Sequence, residues 1–252
     1  MRIFSQILFA VLLASPHFAC WSDLSAAIQK IKPSVVAVGT FAETDSPRFT
    51  FLGTGFVVEA GNWVITNAHV VPEALAGPVN RRLQVQVADA LGVRSFRTAI
   101  VLRRDTVHDL ALLEFDGAAA LPVKLALESS VREGASIGLM GFPLGGALGL
   151  TLVTHRGIIA AVTSIALPPP SSRYLTERAL MQLREEAFRI LQLDATAYPG
   201  NSGGPVFDVD TAAIVGVVNM VLVKGSKETA LSQPSGITYA IPTQFVRQLI
   251  EQ

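Results

Sequence analysis

Short runs rich in valine and isoleucine recur along almost the whole chain, most of them separated by glycine, proline or asparagine turns. In the first half they read "SVVAVGTF", "FLGTGFVVEA", "NWVITNAHVV", "LQVQVADA", "TAIVLRRD" and "DLALLEF". In the second half they read "ASIGLMGF", "LTLVTHRGIIAAV", "PVFD", "AAIVGVVNMVLV" and "GITYAI". Apolar β-branched runs of this length, bounded by turn residues, are strands. Strands that follow one another without helices between them build barrels or sandwiches rather than βα layers. The stretch "GAAALPVKLALE", residues 117–128, is placed to cross between two halves. Helix is expected near the ends. Ala26, Ile28 and Ile31 share a face before Pro33, and Phe245, Leu249 and Ile250 share one in "IPTQFVRQLIEQ".

With 252 residues, 50% hydrophobic and 16% charged, the chain has apolar material for one or two packed β units. Its 20 basic and 20 acidic residues cancel, which leaves no electrostatic footprint for nucleic acid. Met1-Arg2 followed by the apolar run "IFSQILFAVLLA" and then "SPHFACWSD" reads as a secretory signal peptide over residues 1–20. The apolar run falls short of the roughly 20 residues a membrane-spanning helix requires. Export to a bacterial periplasm or the exterior is the expectation. Cys20 is the single cysteine, so no intrachain disulfide can form. A lipid anchor on Cys20 would need "HFAC" to serve as a lipobox, which it matches poorly.

"AYPGNSGGPVFD", residues 197–208, sets glycines and prolines around one serine. A tight turn would account for the glycines. A catalytic turn would account for the serine too, because glycines let backbone N–H groups point at a reacting carbonyl. A serine hydroxyl needs a base, and the base needs an orienting partner. The four histidines are His17, His69, His108 and His155. None follows Ser202, which excludes the Ser-acid-His order of an α/β-hydrolase although "GNSGG" satisfies its G-x-S-x-G pattern. His17 lies in the signal region, and between His155 and Ser202 the only aspartate is Asp194. His69 interrupts the apolar run "VITNAHVV" with a polar group. Asp109 stands at the mouth of "LALLEF", with Asp105 and Asp89 as alternatives for the acid.

Together, "TNAHVV", "HDLALLEF", "IGLMGFPLG", "RGIIAAV", "LQLDATAYPGNSGGPVFD" and "GITYAIPTQFV" resemble, in the same order, the HtrA-like (DegP-like) serine proteases of the trypsin superfamily. The resemblance implies an all-β fold of two perpendicular six-stranded barrels of the chymotrypsin type, with a helical insert and a C-terminal helix. It places a protease domain over residues 21–252, barrel one over about 33–118 and barrel two over about 121–240. It implies the triad His69, Asp109 and Ser202, with Gly200, Asn201 and Ser202 forming the oxyanion turn. It also implies acyl-enzyme cleavage of peptide bonds without cofactor or metal. Thr196 falls where trypsin-like enzymes carry a pocket aspartate, so Lys/Arg specificity is not expected. Asn219, Met220 and Val221 are implied to line the substrate site, although Met220 and Val221 read equally well as buried strand.

Unfolded or damaged envelope proteins as substrates, and homo-oligomer formation, follow from the resemblance alone. The alternative is a catalytically silent relative that binds polypeptide or acts as a scaffold. The chain departs from many relatives in ending after the terminal helix, so the protease domain is expected without a PDZ domain. It also carries an insert, "LPPPSSRYLTERALMQLREEAFRILQL". There Tyr174, Leu180, Leu183, Ala187 and Leu191 recur near helical spacing, which predicts a helix over about 168–191. That helix is expected to pack on barrel two rather than to gate the site.

Overall fold

The computed structural model describes residues 23–73, 80–89, 92–145, 149–165, 188–219 and 236–252. Two closed barrels of six strands form their framework. The first contains β1 (Val35–Phe41), β2 (Phe49–Val58), β3 (Trp63–Thr66), β4 (Arg82–Ala88), β5 (Arg94–Asp105) and β6 (Leu110–Phe115). Around it the order is β1-β2-β3-β6-β5-β4, and the closing pair is β4 with β1. The second contains β7 (Ser136–Gly141), β8 (Val153–Ile165), β9 (Phe188–Asp194), β10 (Pro205–Asp208), β11 (Ile214–Asn219) and β12 (Ile237–Pro242). Its order, β7-β8-β9-β12-β11-β10, repeats that of the first. Neighbouring strands are antiparallel in both barrels.

The uninterrupted apolar runs have a physical cause. Successive side chains on a strand point to opposite faces, and here both faces are buried. Val36, Val38, Val57, Val64, Ala111 and Leu113 fill barrel one. Their alternates Val35, Ala37, Phe56, Val58, Ile65, Leu110 and Leu112 join a separate cluster with Met140, Phe142, Phe207, Ile214, Val217 and Ile241 of the second half. Barrel two keeps its own interior in Ile137, Leu139, Ile159, Leu191, Leu193, Val206 and Val215. The described residues therefore form three cores, one of them the seam between the barrels. A strand buried on both faces loses the polar alternation of a half-exposed sheet.

Helices brace the seam. Helix α1 (Leu24–Ile31) is capped by Asp23, whose carboxylate accepts from the Ser25 N–H at 2.8 Å. Its buried residues are Ala27 and Ile31, with Leu24 and Ile28 packed beside them; Ala26 is exposed. The face is thus rotated by one residue from the expected Ala26-Ile28-Ile31. Helix α2 (Thr243–Glu251) buries Phe245, Val246 and Leu249, as the sequence predicts for Phe245 and Leu249. Arg103 of β5 donates to the Leu249 and Ile250 carbonyls at 3.3 and 2.9 Å, satisfying acceptors at the helix C-terminus.

The end of the insert departs from expectation. Residues 188–191, predicted as the close of a helix, open strand β9; all four pair with β8, and Leu191 pairs with β12 as well. Phe188, Ile190, Leu191 and Leu193 are buried there in a pattern that two flanking strands impose. The remainder of the expected helix lies outside the described residues, as do the signal region, Met220 and Val221. No helix among the described residues is long and apolar enough to cross a membrane.

Candidate active site

The residues singled out by the sequence sit on the connections at one region of the seam. His69 lies in a single 3-10 turn, Ala68–Val70, just after β3. Asp109 ends the short turn between β5 and β6. Ser202 lies in the turn that leads from β9 into β10, and Asn219 ends β11.

Asp109 is the most heavily bonded of them. Its Oδ2 lies 2.6 Å from His69 Nδ1 and accepts from Asn219 Nδ2 at 2.8 Å. Oδ1 accepts the His69 backbone N–H at 2.9 Å. The Asp109 carbonyl accepts from Ala68 N–H at 3.1 Å and Asn67 Nδ2 at 3.0 Å. The residue adopts φ +53°, a left-handed conformation that aspartate tolerates better than most residues. An ionised carboxylate only accepts, so the imidazole proton sits on Nδ1 and Nε2 keeps its lone pair. The alternatives for the acid are engaged elsewhere. Asp105 Oδ2 lies 2.6 Å from His108 Nδ1, and Asp89 Oδ1 accepts from the Val93 N–H at 2.8 Å in the β4–β5 hairpin.

The Asp105–His108 pair is a second dyad beside the first. The His108 ring stacks on Phe245 of α2 with centroids 3.9 Å apart and meets Phe188 of β9 edge-on at 4.7 Å. Burial raises the Asp105 carboxyl, but hydrogen bonds and charge from His108 and the Val107 N–H outweigh it and leave it below the usual value. Its surroundings are those of a joint between the β5–β6 turn, β9 and the terminal helix.

The serine turn is built from backbone bonds. Asn201 N–H donates to the Tyr198 carbonyl at 2.9 Å, with Gly200 at φ +102° in third position, the geometry of a type II turn that needs glycine there. The Pro199 carbonyl accepts from Leu144 N–H at 2.9 Å. Across a planar trans peptide the next N–H points the opposite way. Pinning the Pro199 oxygen on Leu144 therefore turns the Gly200 N–H away from that contact. Among the described residues, the N–H groups of Gly200 and Ser202 have no acceptor. Two donors are thus available for an anion. Asn201 is fully buried with neither side-chain amide atom bonded, and it packs on Gly141.

Thr54 of β2 carries the turn across the seam. Its hydroxyl donates to the Gly200 carbonyl at 2.6 Å and accepts from Phe142 N–H at 3.1 Å, while its N–H donates to the Ser202 carbonyl at 2.9 Å. Gly203, at φ +82°, leaves no room for a Cβ, which would stand 2.1 Å from the Thr54 oxygen. Ser202 is 7% exposed. Among the described residues, neither Ser202 Oγ nor His69 Nε2 has a hydrogen-bond partner. A resting site often holds this bond long and tightens it when substrate binds.

Thr196 is half-buried and carries no charge. Asn219, expected to line the substrate site, directs its amide to Asp109. The sequence reading did not single out Thr54, Asn67, Arg104 or the Leu144 N–H. The one trace of Thr54 in the sequence is its place in "GTG", and its bond to Gly200 spans 146 positions.

A family model described as a trypsin-like peptidase domain matches residues 53–217. "Serine protease HTRA2, mitochondrial" of Drosophila grimshawi is 33% identical over 202 residues, covering 79% of this chain and 38% of its own. "Serine protease HTRA4" of Homo sapiens is 28% identical over 243 residues, covering 95% of this chain and 43% of its own. The chain thus spans about two fifths of the length of these curated relatives. Among solved structures, Deg5 superposes with TM-score 0.62 at 26% identity, covering 89% of this chain and 90% of its own. A serine endoprotease from Yersinia pestis has TM-score 0.62 at 24% identity, covering 91% and 65%, and shows likeness of fold.

Two outcomes are expected of this geometry. Thr54→Val leaves the Phe142 N–H and the Gly200 carbonyl unpaired. It should lower unfolding stability by about 1–3 kcal/mol, read from the urea midpoint. His155 of β8 has its Nε2 buried without a partner and sits beside Tyr198, and burial lowers its pKa from 6.5. Below pH 6.5 the unfolded chain takes up this proton before the folded one does, so stability is full above 6.5 and falls as pH drops through the folded value. Unfolding curves from pH 8 to 5 should show that loss, and His155→Phe should reduce it.

Proposed function

Because the chain belongs to the trypsin-like peptidases, in their HtrA-like group, we propose that it is a serine endopeptidase acting through His69, Asp109 and Ser202. The observation that carries this reading is the 2.6 Å contact of His69 Nδ1 with Asp109 Oδ2, across the seam from a serine turn with two unused N–H donors. Ser202 Oγ attacks a peptide carbonyl while His69 Nε2 takes its proton. The imidazolium then gives that proton to the departing amine. Asp109 holds the tautomer and stabilises the positive ring. Water repeats the sequence on the acyl-enzyme, with His69 again as base. The oxyanion of each tetrahedral intermediate is received by the Gly200 and Ser202 N–H groups, and Asn201 fixes the turn between them. Each such donor is worth about 2.7–4 kcal/mol of barrier.

The substrate is polypeptide in an extended form laid beside β11, with Asn219 and the residues that follow it in sequence, Met220 and Val221, as the proposed contact. Thr196 at the pocket floor offers no anion to Lys or Arg, so an uncharged side chain of moderate size is favoured before the scissile bond. The signal-like residues 1–20 support export. The resemblance to HtrA-like proteins supports unfolded envelope polypeptides as substrates and a homo-oligomeric assembly. The protease domain is proposed over residues 21–252.

Cleavage of unfolded casein by the purified protein tests this reading. Ser202→Ala should remove turnover, and Asp109→Asn should lower kcat by about 10⁴ through the wrong imidazole tautomer. Turnover that survives Ser202→Ala would refute the assignment.

A further inference from the structure

We propose that Arg104 is a positioning residue for the His69 imidazole, an inference that rests on the proposed triad chemistry. Arg104 stands near the end of β5, opposite Ala111 of β6, and β6 begins immediately after Asp109. Its backbone is thereby fixed in the same frame as the Asp109 carboxylate. Its side chain reaches to the other partner of the dyad. Nη1 donates to the carbonyls of Ala68 and Val71, both at 3.0 Å, and Nη2 donates to the carbonyl of Pro72 at 3.1 Å. These three acceptors bracket His69.

The turn Ala68–Val70 is a single 3-10 turn, too short to be stable alone and with carbonyls left over at its end. The bonds from Asp109 act at the near side of that turn, on Ala68 N–H, the Asn67 amide and His69 itself. Arg104 acts on Ala68 and then beyond His69, on Val71 and Pro72. Among the described residues it is the side chain that hydrogen-bonds the far side, where Val70 and Val71 also pack into barrel one. Among the described residues Arg104 makes no ion pair, so its half-buried charge is compensated by these carbonyl dipoles. The planar fork matters, because two nitrogens address carbonyls four residues apart along the chain. The adjacent Arg103 faces the other way and closes the end of α2. Two neighbouring arginines thus do separate work on the two faces of one strand.

Without the guanidinium the imidazole keeps its bond to Asp109 but loses its fixed attitude toward Ser202. Misplacement of reacting groups on the scale of 1 Å costs about 10²-fold in rate. In Arg104→Ala, kcat for peptide hydrolysis should fall about 10–100-fold while KM stays within about twofold. Methylguanidinium in solution should restore part of the loss, and Arg104→Lys should recover less than the wild-type rate. Wild-type kcat in Arg104→Ala, or a loss confined to KM, would overturn the inference. So would a loss that methylguanidinium leaves untouched in a variant that melts like the wild type. If Arg104→Ala does not fold, Arg104→Lys carries the test: lowered kcat at unchanged KM supports the inference, and wild-type kcat overturns it. If the wild-type protein hydrolyses no peptide, the proposed function fails and the low-field proton resonance of His69 Nδ1–H decides the inference instead. A resonance broadened in Arg104→Ala and sharpened by methylguanidinium supports it, and one unchanged by the substitution overturns it.

Discussion

The Asp109 carboxylate is the group on which the site depends, because its hydrogen bonds come from both barrels. His69 reaches it from the turn after β3, and Asn219 reaches it from the end of β11. A carboxylate that accepts three N–H donors cannot turn without breaking several of them, so it fixes the ring of His69 and the end of β11 together. Its left-handed backbone delivers the carboxylate to that point at some conformational cost. The surrounding seam, apolar on both sides, supplies the rigidity that maintains the conformation.

Thr54 holds the opposite wall by the same device. One side chain from barrel one satisfies a carbonyl of the serine turn and an N–H at the end of β7. The turn is therefore not a free loop. Its Pro199 and Gly200 carbonyls and the Gly203 N–H are set by Leu144, Thr54 and Val218, partners outside the turn, while the Gly200 and Ser202 N–H groups stay unspent. In the proposed mechanism this is the preorganisation that lets backbone dipoles act without reorganising when charge develops.

Much of the architecture was legible in the sequence because most strands end near a turn residue. The two-barrel fold and the seats of the candidate residues followed from those runs and from the family resemblance. The missing detail has physical causes. Asp109 and Asp105 flank the same turn, and the sequence does not show that Asp105 is taken up by His108 while Asp109, at positive φ, meets His69. Leu191 continues the near-helical spacing of Leu183 and Ala187, so the helix is expected to run through it. Pairing with β8 and β12, 20 or more positions away, settles it as strand. The helix face was displaced from Ala26 to Ala27 because alanine carries almost no periodic signal. Thr54 and Arg104 act on backbone carbonyls, and a carbonyl has no letter in a sequence.

The proposed mechanism rests on nucleophile, base and oxyanion donors being assembled in the resting protein. Titration with a fluorophosphonate, followed by intact mass and peptide mapping, tests it most directly. Close to one adduct per chain, on Ser202, is expected without added peptide or other activator. No adduct, an adduct on another residue, or labelling that begins only after an activating peptide is supplied would contradict it.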